Sequence, residues 1–209
     1  MTSAKPVSAP TRRILRLTAG LLAWAALAAP AAAESYGQPP PPDAPVASRE
    51  VRVQRQAGGF SIDVVMLAPV PPAVAWAVLT DFEHMPRYQS HLQRSEVLER
   101  SAERLLVRQQ GVARLGPFSQ RFESVREMLL APPQRIRARQ VSGGALRQMS
   151  SLMTLEPQGA GATRLTYHAE VEPEHGLPPL FGPAFVQHET AEQFSAMIRE
   201  MARRQHAAR

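Results

Sequence analysis

Between Leu92 and Glu172 the chain repeats an alternation of apolar and polar residues in one segment after another, and no other feature limits its fold so strongly. The alternating segments are 92–99, 104–115, 118–130, 134–141, 146–156 and 163–172, with Gly116-Pro117, Pro132-Pro133, Gly143-Gly144 and Gly159-Ala160-Gly161 among their separators. A period of two sends one face of a strand to a core and the other to water, and consecutive strands with short turn-like connections form an antiparallel meander. Upstream, Val51 and Val53 alternate with polar neighbours, Gly58-Gly59 interrupts, and Phe60, Ile62, Val64 and Met66 resume the period. Two strands meeting at a Gly-Gly bend or bulge are predicted there.

Pro69, Pro71 and Pro72 end this second strand, and Pro72 suits the first turn of a helix, where a missing N–H costs nothing. Val74, Trp76, Val78 and Leu79 predict a short helix to about Thr80-Asp81, with Asp81 placed to cap a second short helix that runs through Met85 and is stopped by Pro86. At the other end of the chain Ala191, Phe194, Met197, Ile198 and Met201 fall on one helical face, leaving Glu192, Arg199, Glu200, Arg203 and Arg204 to solvent. A helix from Pro183 to Arg204 would be about 33 Å long, enough to cross a whole domain. The expected class is α+β: one curved antiparallel sheet wrapped around one long C-terminal helix, with two short helices after the first strand and no internal repeat.

The charge is distributed unevenly. Of the formal +6 carried by 209 residues, Lys5, Arg12, Arg13 and Arg16 lie in residues 1–33, which contain no acid and continue into the apolar run Leu17 to Ala29 and the triplet Ala31-Ala32-Ala33. A basic start, an apolar stretch and small residues in this order read as a signal peptide cleaved near Ala33. About 13 apolar residues at ~1.5 Å each are too few to cross a ~30 Å hydrocarbon core. Thr11-Arg12-Arg13-Ile14-Leu15 also resembles the start of a twin-arginine signal, although ordinary secretion is the default. Removing this segment lowers the net charge from +6 to +2, which dissolves the argument from basic charge for a nucleic-acid partner. The expected destination is a bacterial periplasm or the exterior. The absence of cysteine suits that compartment and excludes disulfide scaffolds, thiolate metal centres and cysteine nucleophiles. Residues 34–48, with Pro39 to Pro42 and Pro45, are expected to form a disordered Pro-rich leader, residues 49–204 the domain, and 205–209 a tail.

The stretch Val74-Ala75-Trp76-Ala77-Val78-Leu79-Thr80-Asp81-Phe82-Glu83-His84-Met85-Pro86-Arg87-Tyr88, followed by Ser95-Glu96-Val97-Leu98-Glu99, resembles the START-like, or polyketide cyclase (SRPBCC), superfamily. It is most similar to bacterial coenzyme Q-binding START-domain proteins. The resemblance spans roughly residues 49–204 and implies a helix-grip fold, with isoprenoid quinones as one ligand class. The stretch describes a fold, and chemistry must be argued from the site.

A helix-grip domain offers a hollow between the concave sheet face and the long helix. Inward candidates are Leu165, Tyr167, Ala169 and Val171 on the last strand, Phe118 with Phe122, and Leu105 with Val107. On 146–156 one face reads Leu146, Gln148, Ser150, Leu152 and Thr154, the other Met149, Ser151, Met153 and Leu155, and the pattern does not say which is inside. On the helix, Phe194 to Met201 is bulky, whereas Ala184, Gln187 or His188, and Ala191 thin the same face toward the N-terminus. The wide end of a cavity is expected there, with Phe82, Tyr88, Phe181 and Phe185 near its mouth. Met149, Met153, Met197 and Met201 would provide an adaptable lining. The expected ligand contacts are therefore Phe82, Tyr88, Val107, Phe122, Met149, Tyr167, Phe181, Phe185, Ala191 and Phe194.

Catalytic and metal chemistry find little support. The histidines at 84, 91, 168, 175, 188 and 206 lack ligand spacing: His188-Glu189-Thr190-Ala191-Glu192 has Glu where a zincin helix needs its second histidine, and His168 alternates with Glu170 and Glu172 on a solvent face. No nucleophile elbow, phosphate loop or dinucleotide fingerprint is present. Arg135, Arg137 and Arg139, extended by Arg121 and Arg126, form a basic row that reads as an anionic-membrane contact or, preferably, as a solvated sheet face with Glu123 and Glu127 between. The expected function is binding of a hydrophobic small molecule: a lipid, an isoprenoid quinone or a polyketide-like compound. The alternatives are a cyclase or dehydratase using Asp81, Tyr88 or His188 for proton transfer, and a cavity-poor envelope interaction module. No cofactor and no metal are expected. The expected partners are the hydrophobic molecule or lipid and, peripherally, a membrane, with no nucleic acid and the protein a monomer.

Overall fold

The computed structural model describes residues 45–115, 118–143, 146–173 and 182–208; the expected signal peptide, the leader up to residue 44, Phe181 and His175 lie outside them. Strands β1 (Arg52–Gln56) and β2 (Gly59–Ala68) form a hairpin, and Gly58 turns it with φ of +89°, a left-handed conformation that side chains disfavour. Helix α1 (Pro72–Leu79) follows, with Pro71 as an extended N-cap (φ −60°, ψ 154°) and Pro72 in the first turn, as the proline spacing predicts.

The second short helix is a 3-10 helix, Phe82–Arg87, that contains Pro86 instead of ending before it. The carbonyl of Met85 accepts from Tyr88 N (3.1 Å) and Gln89 N (2.9 Å) beyond the proline, so the turn closes without the N–H that Pro86 lacks. Asp81 occupies the N-cap position, but its side chain makes no capping bond.

The remaining strands are β3 (Leu92–Arg100), β4 (Arg104–Leu115), β5 (Phe118–Ala131), β6 (Arg135–Ser142), β7 (Leu146–Gln158) and β8 (Ala162–Pro173). All pairings are antiparallel and the order is β1-β2-β8-β7-β6-β5-β4-β3, so the meander from β3 to β8 is extended at β8 by the N-terminal hairpin. The chain crosses from β2 to the opposite edge through α1 and the 3-10 helix. Helix α2 (Pro183–Ala207) is 25 residues, about 37 Å at 1.5 Å per residue. It buries Ala191, Phe194, Ser195, Ile198 and Met201 and packs on α1, β1 and β2. Leu105, Leu165 and Met201 are fully enclosed, each stabilising the fold by about 1.5–3 kcal/mol relative to exposure. This is the helix-grip architecture.

Two positions depart from expectation. Glu200, read as solvent-facing, is buried because Arg203 and Arg204 both fold back onto its carboxylate, at 2.7 Å each. The last residues of the expected leader are held against the domain: Val46 is buried, its N–H donates to Ser195 Oγ (3.1 Å), and that hydroxyl donates to Val46 O (3.2 Å). Gln187 Nε2 extends the tether by donating to Val51 O at 2.9 Å. A buried serine that satisfies both backbone groups of one residue anchors that residue on α2.

Candidate functional site

Residues paired across antiparallel strands share a face, so the register settles what points inward. Leu155 pairs with Leu165 and Met153 with Tyr167, which puts Met149, Ser151, Met153 and Leu155 on the concave face and leaves Gln148, Ser150, Leu152 and Thr154 outside. Leu105, Val107, Gln109 and Gly111 on β4 pair with Met128, Arg126, Ser124 and Phe122 on β5. Val107 is buried and inward, as expected.

Along these strands the cover changes in one direction. Met128, Ile136, Met153 and Leu155 are buried at one end, whereas Arg126, Ser124 and Phe122 on β5, Gln140 on β6, and Ser151 and Met149 on β7 are half-buried toward the other. On α2, Val186 is likewise only partly covered by the core. Half-covered inward side chains are more numerous toward Phe122 and Met149 than toward Met128 and Leu155, although Leu130 is itself half-buried, and the less covered part is the candidate recess. Ala191 and Phe194 belong to the covering face of α2, and the Phe194 ring meets Tyr167 edge-on at 4.9 Å between centroids.

The recess has a polar centre. Arg126 and Tyr167 lie deep in the domain yet keep some accessible surface, as side chains lining an internal space do. Arg126 Nη2 donates to Gln109 Oε1, and Gln109 Nε2 donates to Ser95 Oγ (3.2 Å) and faces Met85 Sδ (3.4 Å), so both ends of the Gln109 amide are used. Arg126 Nε is buried with no hydrogen-bond partner among the described residues. Arg108 Nε is also unbonded but has the Glu123 carboxylate at 3.7 Å; Arg126 has no such ion pair among the described residues. The Tyr167 hydroxyl bonds Ser151, and burial raises its pKa against the opposing pull of that bond and of Arg126. His91 stacks on Phe122 (6.3 Å, 27°), and burial with the nearby Arg126 charge lowers its pKa to about 4, so the imidazole is neutral at pH 7. Gly111 makes that stack possible: a Cβ there would lie 2.1 Å from His91 O and 2.8 Å from the Phe122 ring.

Several expected site residues stand elsewhere. Phe82 is a core residue, 4% exposed, because it opens the 3-10 helix on the side that packs on the sheet. The Tyr88 hydroxyl donates to Val78 O at 3.2 Å and burial pushes its pKa up to about 12, so it ties the 3-10 helix to α1 and keeps its proton. Asp81 binds His84 Nδ1 (2.6 Å) and Arg204 Nη2 (2.7 Å). Burial pushes the Asp81 pKa up, but those two partners outweigh it and hold the carboxyl below its ordinary value. Ala184 and His188 are exposed on α2 and line nothing. Asp81, Tyr88 and His188 therefore do not converge on a reacting centre. Phe185 is half-buried in the first turn of α2. The side chain of Phe118 lies outside the described residues.

Arg126 is the main correction to the basic row. Arg121, Arg135, Arg137 and Arg139 are exposed on the outer face, where Arg139 and Arg104 pair with Glu127 at 2.7 and 2.6 Å, but Arg126 points the other way. A groove of about 450 Å³ on that outer face, lined by Glu127, Arg137, Arg139, Ser150, His168 and Glu170 among others, is a surface trough in which Glu127 pairs with Arg139.

The family model described as polyketide cyclase/dehydrase and lipid transport matches residues 59–206. The chain belongs to that family. No curated protein matches it in sequence. Among solved structures, the Zhui aromatase/cyclase of a Streptomyces species superposes with a TM-score of 0.62 at 18% identity, covering 71% of this chain and 96% of that one. Human STARD10 gives 0.55 at 15%, covering 74% of each chain. A STAR-related lipid transfer protein of Xanthomonas axonopodis gives 0.54 at 13%, covering 73% of this chain and 99% of that one. At these identities the likeness establishes the START-like fold and leaves the ligand to the site's own chemistry.

The alternation was not used to place His91, Ser95, Gln109 and Arg126 in the candidate site of this polyketide cyclase/lipid transport family member, although a signal for two of them was present. Gln109 shares parity with Leu105 and Val107, and Arg126 shares parity with Phe122. Assigning the apolar residues inward assigns the polar ones inward too.

Proposed function

We propose that this START-like domain is a binding or carrier protein that encloses a hydrophobic small molecule in the recess between β5–β8 and the N-terminal half of α2. The observation that carries the reading is the group of half-covered side chains Phe122, Met149, Tyr167 and Val186 around a few fixed polar groups, beside the buried Met128, Met153 and Leu155. A mostly apolar concavity with sparse polar groups is the usual form of a small-molecule site. The family description, which joins polyketide cyclases to lipid transport, supports a hydrophobic ligand. Lipids, quinones and polyketide-like compounds all fit that description. The N-terminal segment supports release into the periplasm or beyond after cleavage near Ala33, so the cargo would be met outside the cytoplasm.

Native mass spectrometry of the protein purified from the periplasm tests both parts. A one-to-one lipophile that co-purifies, and is lost when Met149→Trp fills the recess wall, is the expected result. An empty wild-type protein that takes up no added lipophile would remove the carrier reading. Recovery of uncleaved chain from the cytosol would remove the export reading.

A further inference from the structure

Arg126 carries a permanent charge, and no carboxylate among the described residues forms an ion pair with it; Glu189, half-buried one turn from Val186 on α2, has its pKa raised by burial and interacts with His188 and Glu192 instead. A guanidinium cannot shed its proton inside a protein, and a buried, unpaired charge is costly. Arg126 has one hydrogen bond, to the neutral Gln109 carbonyl oxygen, while its Nε–H has no acceptor among the described residues. Gln109 is itself fixed from behind by Ser95, so Arg126 is held in position by a group that cannot neutralise it. The neighbours add no second charge: Tyr167 keeps its proton and bonds Ser151, and His91 is a neutral ring against Phe122.

Building on the carrier reading, we infer that the recess selects an apolar molecule bearing a single carboxylate, which the Arg126 guanidinium binds while the hydrocarbon lies along Phe122, Met149, Tyr167 and Val186. A guanidinium presents parallel N–H groups that match the two oxygens of a carboxylate, and such charge-assisted bonds are strong where water is excluded. One cation balances one negative charge, which disfavours a phosphate dianion. Arg126, on the strand centre, would hold the acid deep, with the apolar body lying toward the half-covered end of the sheet.

The test uses the full chain expressed with its own N-terminal segment, purified and stripped of lipid, in a fluorescent fatty-acid displacement assay. The competitors are palmitate, the corresponding alcohol hexadecanol, and lysophosphatidic acid. Palmitate is expected to bind about ten- to hundred-fold more tightly than hexadecanol, the range for a buried charge-assisted hydrogen bond. Arg126→Met should reduce palmitate to the level of hexadecanol, and Arg126→Lys, which keeps the charge but loses the planar fork, should fall between. Equal binding of palmitate and hexadecanol to wild type would overturn the acid selection while leaving the carrier reading intact. Tighter binding of lysophosphatidic acid than of palmitate would overturn the single-charge argument. Binding of none of the three would count against the carrier reading itself. If Arg126→Met fails to fold, the wild-type ratio of acid to alcohol decides the matter alone.

Discussion

Replacing Arg126 by methionine should stabilise the ligand-free protein. Methionine keeps an unbranched apolar stem against Val107 and the concave face and removes the charged head. The gain is the desolvation cost of an unpaired buried guanidinium, of the order of several kcal/mol. Against it stands the loss of the bond to Gln109 Oε1, which leaves that oxygen unsatisfied at a cost of about 1–3 kcal/mol. The difference is a net stabilisation of about 1–3 kcal/mol, or roughly 3–10 °C in Tm for a domain of this size. Thermal unfolding of lipid-stripped protein by circular dichroism, with a urea titration to verify an unchanged m-value, measures it. Arg121→Met is the control: Arg121 is exposed on the outer face of the same strand and should shift stability by less than about 0.5 kcal/mol. A loss of more than about 1 kcal/mol in Arg126→Met, with Arg121→Met neutral, would refute the reasoning. It would mean that the folded protein already satisfies the guanidinium and has no need of an anion from outside.

Three further outcomes follow from the geometry. Ser195→Ala strands both backbone groups of Val46 and should cost about 1–3 kcal/mol in urea unfolding, with faster proteolysis of the N-terminal segment as the local readout. Gly111→Ala places a methyl group against His91 O and the Phe122 ring, so it should destabilise by about 1–3 kcal/mol and abolish the ring-current shift of His91 in proton NMR. Glu200 is held at a pKa of about 2 by the hydrogen bond from Arg203 and then that from Arg204, against an ordinary 4.5. Its contribution is therefore complete above about pH 4.5 and lost as pH falls toward 2. Glu200→Gln should lower stability at pH 7 by about 1 kcal/mol, since its cations remain partly in water, and flatten the Tm profile over that acid range.

The strands were legible because a period of two is a local property. Each of the six alternating segments became a strand with ends within two residues of those expected, and the helical spacing of Ala191, Phe194, Ile198 and Met201 named the buried stripe of α2. The same rule went unused for Arg126. Grouping it with Arg121 by charge overrode the parity it shares with Phe122, four residues away on a strand without interruption between them. On β7 the pattern was truly silent, since both faces mix hydroxyls with apolar side chains, and only the pairing of Met153 with Tyr167 identified the inner one. Asp81 shows the opposite failure. A local propensity made it a cap, but Arg204, 123 residues later, offered a charged partner and took the side chain.

Spacing along the chain thus determined which segments are strands and helices and which side chains share a face, because those follow from backbone geometry within a few residues. What lies opposite each face was decided by the tertiary structure. Gln109 and Arg126 meet across the β4–β5 pair, but His91 joins them from the turn before β3, and Tyr167 from β8, three strands away, only through the tertiary arrangement of the curved sheet. No local pattern encodes that meeting, since the energy of a buried charge depends on what covers it, and the cover here comes from distant segments of the chain.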